Sequence, residues 1–426
     1  MNICVVLEHR SEVVKLAPII HSLLKEKASI SIVYPRSSSC YCNTVERLFK
    51  EFNLPDPVKL DFQDCVNPFQ LSVNLNSFFS SFKPEALIVK SGGLSSFISA
   101  FTAVSRGIPV VSIDAGCRCF NLAVPQELYR VLTDRCSQLL FPLTDLSLSN
   151  LLREGFPPTT VKNYGNPIFD AIAYVKPLAK NSFLDKLELN DYMLMVVESI
   201  ENSKVKSIVK TLDKINVDKV LLVSSPDGLS DLASNKTLVF PITDLSYRDY
   251  ILLLSSSKLV LTDSTCVQEE AVITKTPCLT LREDTERPEI VLSGGNVLVG
   301  LDLNNVFKWV NRVLKREQIY SVMKRAKPPF KGRGASDKIA REIAGSLRSG
   351  GLRVGCEWPV KGYPTLKLSL DLEKSRREWF IGFFNEQGKY FPPSKKKGVY
   401  GLLVKVRKPI KSRLVKKRKR RKQVKR

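Results

Sequence analysis

Short apolar runs alternate with longer amphipathic stretches along most of this chain. Ile3–Leu7, Ser29–Tyr34, Ala86–Val89, Pro109–Ile113 and Leu139–Phe141 form a first series, and each is followed by a longer mixed segment. A second series runs through Tyr192–Val197, Val220–Val223, Leu238–Phe240, Leu259–Leu261 and Cys278–Leu281. Apolar runs this short, bounded by polar residues, predict strands buried on both faces, and their alternation with helical stretches predicts parallel sheets covered by helices on both sides. The fold class is therefore α/β, with two Rossmann-like doubly wound domains. Of the 426 residues, the first ~345 that carry this pattern are too many for a single compact core and suit two domains. The expected boundaries are 1–170 and 171–350, with the crossover near Ala171–Glu188 and the last helices free to pack back on the first domain. In such sheets ligands bind outside the carboxyl ends of the strands.

Beyond residue 350 the pattern changes. Leu366-Lys367-Leu368-Ser369-Leu370-Asp371-Leu372 alternates with the period of a strand, and aromatic residues cluster from Trp358 to Tyr390. A small appended module over 351–400, of β character on the strength of this one alternation, is expected, followed by a basic tail over 401–426. The chain carries a formal charge of +24. Residues 395–426 hold 17 Lys or Arg and no acid, which leaves about +7 for the rest, so the excess belongs to the tail. A segment of that composition cannot bury itself and is expected to be disordered when free. It could meet nucleic acid, anionic headgroups or an acidic partner through counterion release, or serve only to keep the chain soluble.

No run reaches the ~18 apolar residues of a membrane span, and the N-terminus lacks a basic region before an apolar one, so a cytoplasmic location is expected. The ten cysteines are irregularly spaced and the chain has only two histidines, His9 and His21. The CxC pairs at Cys40 and Cys117 lack further ligands at metal spacing, and no metal is expected.

The densest chemistry lies in residues 261–300, where an Asp-Ser turn, a Glu-Glu pair and a Thr-Glu-Arg-Pro-Glu run occupy forty positions. Leu259–Leu261 predicts a strand ending at Thr262-Asp263-Ser264, and Val267–Ile273 predicts the helix after it. A helix N-terminus gathers unpaired N–H groups and the positive end of the dipole, which places Ser264, Thr265 and Cys266 to hold a phosphate. Glu270, further along the helix, then falls within reach of a ribose diol, and Arg287 in the next loop can face a diphosphate.

The stretch Thr262–Gly300 resembles the TDSGG-x-QEEA, LR-x-x-TERPE and G-x-x-x-LVG segments of the non-hydrolysing UDP-N-acetylglucosamine 2-epimerases. The resemblance continues upstream in family order. Glu8–Pro18 is similar to GTRPEAIKLAP and keeps Arg10, Glu12 and Lys15; Ser112–Cys119 is similar to HVEAGLRT; Pro125–Arg130 is similar to PEE-x-NR; Gly165, Asn166 and Asp170 keep GN-x-x-x-D. It covers roughly residues 1–345.

The resemblance implies a pair of lobes facing a central cleft, the GT-B arrangement of nucleotide-sugar glycosyltransferases. It implies inversion at C2 of the sugar in UDP-N-acetylglucosamine, giving UDP-N-acetylmannosamine. UDP is eliminated across C1–C2 and added back to the other face of the glycal, without a redox cofactor. Arg10, Lys15, Asn166, Tyr250, Ser264, Glu270 and Arg287 are the binding residues it implies, with Tyr250 near uracil. The partners are a UDP-sugar, with a homodimer and a polyanion on 395–426 as open options.

The proton-transfer positions depart from the family. The HGDT segment becomes Lys90-Ser91-Gly92-Gly93, so its carboxylate position falls on Gly92. The glutamate of VEAG becomes Asp114, the first glutamate of PEE becomes Gln126, and HRREN aligns with Glu198–Asn202. Thr265 and Cys266 replace a glycine pair, and Tyr34–Ser37 replaces the bacterial TGQH. Reassigned acid and base groups are sought among Asp114, Glu127, Glu198 and Glu12. Two alternatives stand beside an active epimerase: a catalytically impaired UDP-sugar binder with an interaction or anchoring tail, and a GT-B glycosyltransferase.

Overall fold

The computed structural model describes residues 1–36, 42–61, 69–176, 191–224, 228–234, 236–354, 383–384 and 390–391. Strands β1 (Asn2–Val6), β2 (Ser29–Arg36), β3 (Val58–Asp61), β4 (Ala86–Lys90), β5 (Val110–Ile113) and β6 (Leu139–Phe141) form one sheet in the order β3-β2-β1-β4-β5-β6. Strands β7 (Tyr192–Val197), β8 (Asp218–Val223), β9 (Thr237–Pro241), β10 (Leu259–Thr262), β11 (Cys278–Thr280) and β12 (Asn296–Leu298) form the other, in the order β12-β11-β10-β7-β8-β9. All these pairings are parallel, with Val5 opposite Ile32 and Val196 opposite Thr262. Each sheet thus winds outward in both directions from its first strand, and the winding reverses between β1 and β4 and between β7 and β10. That reversal opens a crevice at the carboxyl ends.

The ten expected strands are all present, with ends shifted by one or two residues. The two that the apolar pattern does not announce, β3 and β12, lie at sheet edges. An edge strand pairs on one side only and tolerates polar residues, so VKLD and NVL carry little signal. Central strands read clearly because both faces are covered: every residue of β7 and β10 is buried.

Helix Arg10–Lys25 buries Val13, Leu16, Ala17, Ile20 and Leu23 against the first sheet, the spacing of one helical face. Helix Ala335–Arg348 packs on it through Ile339, Ala340, Ile343 and Ala344, which returns the chain to the first sheet. Asp170 fixes this return by accepting from the N–H groups of Gly334 (2.7 Å) and Ser336 (2.9 Å), at the start of that helix.

Residues 363–426 form a separate unit, in which Phe383–Phe384 and Tyr390–Phe391 pair antiparallel. The alternation at Leu366–Leu372 and the basic tail lie outside the described residues, as does most of the crossover near Ala171–Glu188.

Candidate active site in the cleft between the sheets

Six strand-to-helix turns bring their residues to one cleft of about 900 Å³. From the first sheet come Glu8 and His9 after β1, Lys90–Gly93 after β4 and Asp114–Cys117 after β5, whereas Arg10, Asn166, Tyr250 and Glu270 lie behind the cleft wall. From the second come Glu198–Ile200 after β7, Asp263–Cys266 after β10 and Leu281–Arg287 after β11. Lys15, Lys90, Asp114, Glu198, Ser264 and Arg287 all line it.

At its floor lies a closed ring of charge. Lys15 Nζ donates to Asp114 Oδ2 (2.5 Å) and Glu269 Oε1 (3.0 Å), while Arg287 donates through Nε to the same Glu269 oxygen (2.5 Å) and through Nη2 to Asp114 Oδ1. Asn166 Nδ2 completes Glu269 at 3.0 Å. Glu269 and Arg287 are wholly buried, so each charge depends on its partners. Burial alone would raise the Asp114 carboxyl, but Arg287 and Lys15 outweigh it and hold it far below the usual range. Lys15, which burial would lower, is instead pushed up to about 12 by Asp114 and Glu269. Asp114 is therefore a permanent anion and a weak base. Its φ of +65° is the left-handed conformation that non-glycine residues seldom adopt, and the ring holds it there. Gly116, two residues on, also has positive φ, and a Cβ there would sit 2.3 Å from the Ser147 carbonyl oxygen.

A second group adjoins the ring through Glu270. Arg10 Nη2 lies 3.1 Å from Glu270 Oε1, Tyr250 Oη donates to Glu270 Oε2 at 2.7 Å, and the guanidinium stacks 4.3 Å from the Tyr250 ring centre. Arg10 Nη1 is buried without a hydrogen-bond partner. Arg10, Tyr250 and Glu270 are thus brought together, yet Glu270 and Tyr250 are enclosed and turned to each other. Accepting a ribose diol would require Glu270 to exchange one of these partners.

The candidate carboxyls have different surroundings. Glu12 Oε2 accepts from the N–H groups of Glu8 (2.5 Å) and His9 (3.1 Å), closing the start of its helix. Glu127 is engaged with the loop beside it: its oxygens accept from the N–H groups of Cys119 (3.0 Å) and Phe120 (2.9 Å) and from Arg130 (3.0 Å). Glu198 lines the cleft, and burial raises its carboxyl, with Asp263 adding to the rise and Arg10 and the Ser264 hydroxyl opposing it. Asp263 holds the Glu198 turn by accepting from the N–H groups of Glu198 (2.9 Å), Ser199 (2.7 Å) and Ile200 (3.0 Å). Ser264 occupies the cap position of helix Thr265–Thr274 without using its side chain as the cap.

Sequence reasoning does not single out the contact of Arg130 Nη2 with Glu286 Oε1 (2.6 Å), because 156 residues separate the partners. Burial would raise Glu286, but Arg130 and Arg282 bring it down to about 2. A carboxyl lowered in the folded state stabilises it fully above the unfolded value and loses that contribution as pH falls through the folded value. Unfolding midpoints of the native chain are therefore expected to fall between about pH 4.5 and pH 2, and Glu286→Gln to flatten that slope. Equal slopes would show that the pair adds nothing.

Among the described residues, no group of three or more His, Cys, Asp or Glu is placed to hold a metal ion. Two doubly wound parallel sheets facing a cleft, with a helix N-terminus and cations on its walls, define the two-lobed GT-B class. The match to known proteins narrows this further. The family model for UDP-N-acetylglucosamine 2-epimerase matches residues 70–344. The Methanocaldococcus jannaschii UDP-N-acetylglucosamine 2-epimerase is 31% identical over 368 residues, 80% of this chain and 98% of that one. The crystal structure of the Methanocaldococcus jannaschii enzyme in complex with UDP-GlcNAc and UDP superposes with a TM-score of 0.72 at 27% identity, covering 80% of this chain and 99% of that chain. The Neisseria meningitidis enzyme bound to UDP-GlcNAc gives a TM-score of 0.74 at 25% identity, with 80% and 99% covered. This chain belongs to the UDP-N-acetylglucosamine 2-epimerase family.

Proposed function

We propose that the protein interconverts UDP-N-acetylglucosamine and UDP-N-acetylmannosamine in the cytoplasm, with Glu198 as a proton-transferring group. The observation that carries this reading is the setting of Glu198. It is the cleft-lining candidate whose carboxyl is raised, and it stands beside the Ser264 turn at the start of helix Thr265–Thr274. A carboxyl raised toward working pH can both take and return a proton, whereas Asp114, bound to two cations, cannot. The N–H groups at the helix start offer a diphosphate site, and Lys15 and Arg287 line the same cleft.

In this scheme the C2 proton passes to a base as the C1–O bond to UDP breaks, leaving a glycal. UDP stays held while its oxygen re-forms the bond to C1 and a proton returns to the other face of C2. Retention of UDP matters because a glycal that escapes is hydrolysed or lost. For a diphosphate to pair with Arg287, it must compete with Asp114 and Glu269, the carboxylates already on that guanidinium. UDP binding is thus coupled to rearrangement of the buried charges. The test is incubation with either UDP-sugar alone and detection of both by proton NMR. The same mixture should be reached from each side, and an unchanged substrate at high enzyme concentration would sink the reading.

The basic segment 395–426 is proposed to bind polyanions. Removing it should abolish salt-sensitive retention on heparin without altering turnover. Equal retention of the shortened protein would refute this. Among the described residues no helix is long and apolar enough to cross a membrane.

A further inference from the structure

Inversion at C2 takes a proton from one face of the sugar and returns one to the other, so a group on a single wall of the cleft performs half of it. Glu198 comes from the second sheet, just after the carboxyl end of β7. Strand β1 holds the same place in the first sheet, flanked by β2 and β4 as β7 is flanked by β8 and β10. The turn after β1 carries Glu8 and His9, and both line the cleft. In the GTRPEAIKLAP segment these two positions are glycine and threonine, so neither the carboxyl nor the imidazole comes with the resemblance.

The fold sets this turn against the glycine pair where the HGDT carboxylate is missing. A Cβ on Gly93 would lie 3.9 Å from Glu8 Oε2 and 3.4 Å from Glu12 Oε1. The two carboxyls are employed differently. Glu12 accepts from the N–H groups of Glu8 and His9 and from Ser96 Oγ (3.4 Å), so it fixes the backbone of the turn. Glu8 Oε2 lies 3.5 Å from His9 Nε2. The Glu8 side chain is 11% exposed and that of His9 50%, so the carboxyl sits inside the cleft and the imidazole connects it to water. Imidazole is the commonest proton-transferring side chain.

We propose that Glu8 is the second proton-transferring group, acting on C2 from the face opposite Glu198, and that His9 relays its proton to and from solvent. The proposal rests on the epimerase reading above and deepens it by naming the group on the other wall. In one direction Glu198 takes the C2 proton, the C–H electron pair forms the C1–C2 double bond, and the C1–O pair leaves with UDP. Glu8, protonated through His9, then delivers its proton to the opposite face of C2 as the UDP oxygen closes on C1. In the reverse direction the two carboxyls exchange roles. The carboxylate absent at Gly92 is thereby supplied from the neighbouring turn.

The test follows deuterium at C2 by proton NMR, with each UDP-sugar supplied alone to the full chain in deuterated water. Glu8→Gln should interconvert the sugars about 10²-fold or more slowly, while its native affinity for UDP reports that it is folded. It should still exchange the C2 hydrogen of one UDP-sugar, the one whose hydrogen faces Glu198, and Glu198→Gln should exchange only the other. His9→Ala should slow turnover and regain rate with added imidazole. Interconversion by Glu8→Gln within a few-fold of native, loss of its UDP affinity, exchange of neither sugar or of the same sugar by the two glutamine variants, or a His9→Ala defect that imidazole leaves in place would overturn the proposal while leaving the epimerase reading standing. A native protein that forms no epimer would remove both.

Discussion

Glu198→Gln is expected to slow epimerisation by about 10²–10⁴-fold, the usual contribution of a general acid or base, with UDP affinity unchanged. The amide keeps the size of the carboxyl and can still meet the Ser264 hydroxyl, but it cannot exchange a proton. The same variant should change the pH profile. Because burial holds the Glu198 carboxyl above the ordinary glutamate range, kcat/KM of the native protein should rise with pH through a value above that range. This limb should vanish from the residual activity of the glutamine variant. A variant that retains its rate within a few-fold, or loses UDP binding with it, would show that Glu198 holds the turn and does not transfer the proton. Glu127→Gln supplies the contrast: it should lower stability through the Cys119 and Phe120 loop and leave the pH profile in place.

Arg287→Ala carries the second large effect. It leaves Asp114 and Glu269 buried with Lys15 as their shared cation, and removing one partner of a buried ion pair typically costs about 3–5 kcal/mol. For a chain of this size the unfolding midpoint should fall by roughly 5 °C. Adding Asp114→Asn should restore part of the loss, because the uncompensated anion is then neutral, and the two changes should be strongly non-additive. Affinity for UDP should fall in Arg287→Ala as well. An unchanged midpoint would mean that the ring does not hold the two sheets together, and an unchanged affinity would tell against its place in the diphosphate site.

Much of this architecture is legible in the chain for a simple reason. A strand covered on both faces must be apolar throughout, so Tyr192–Val197 and Leu259–Leu261 announce themselves, and the turn at Thr262–Ser264 announces the helix behind it. Edge strands such as Val58–Asp61 do not. The site was less legible. That Arg10, Lys15, Ser264, Glu270 and Arg287 belong to one region follows from their motifs, but which anion each cation meets does not. Lys15 and Glu269 lie 254 residues apart, and no local pattern records their contact. Arg287 lines the cleft, where the sequence expects it to face a diphosphate, and its guanidinium is also paired with Asp114 and Glu269. Glu127 and Glu198 look alike as sequence letters. Only placement separates a loop clamp bonded to backbone amides from a raised carboxyl in the cleft.

The fate of the hydrogen at C2 tests the proposed epimerisation most directly. When the protein turns over UDP-N-acetylglucosamine in deuterated water, proton NMR should show the C2 signal disappearing from the sugar as the epimer appears, with deuterium in both sugars at equilibrium. Tight binding of UDP with the C2 hydrogen retained and no epimer formed would contradict it, and would make this chain a nucleotide-sugar binder without the chemistry of its family.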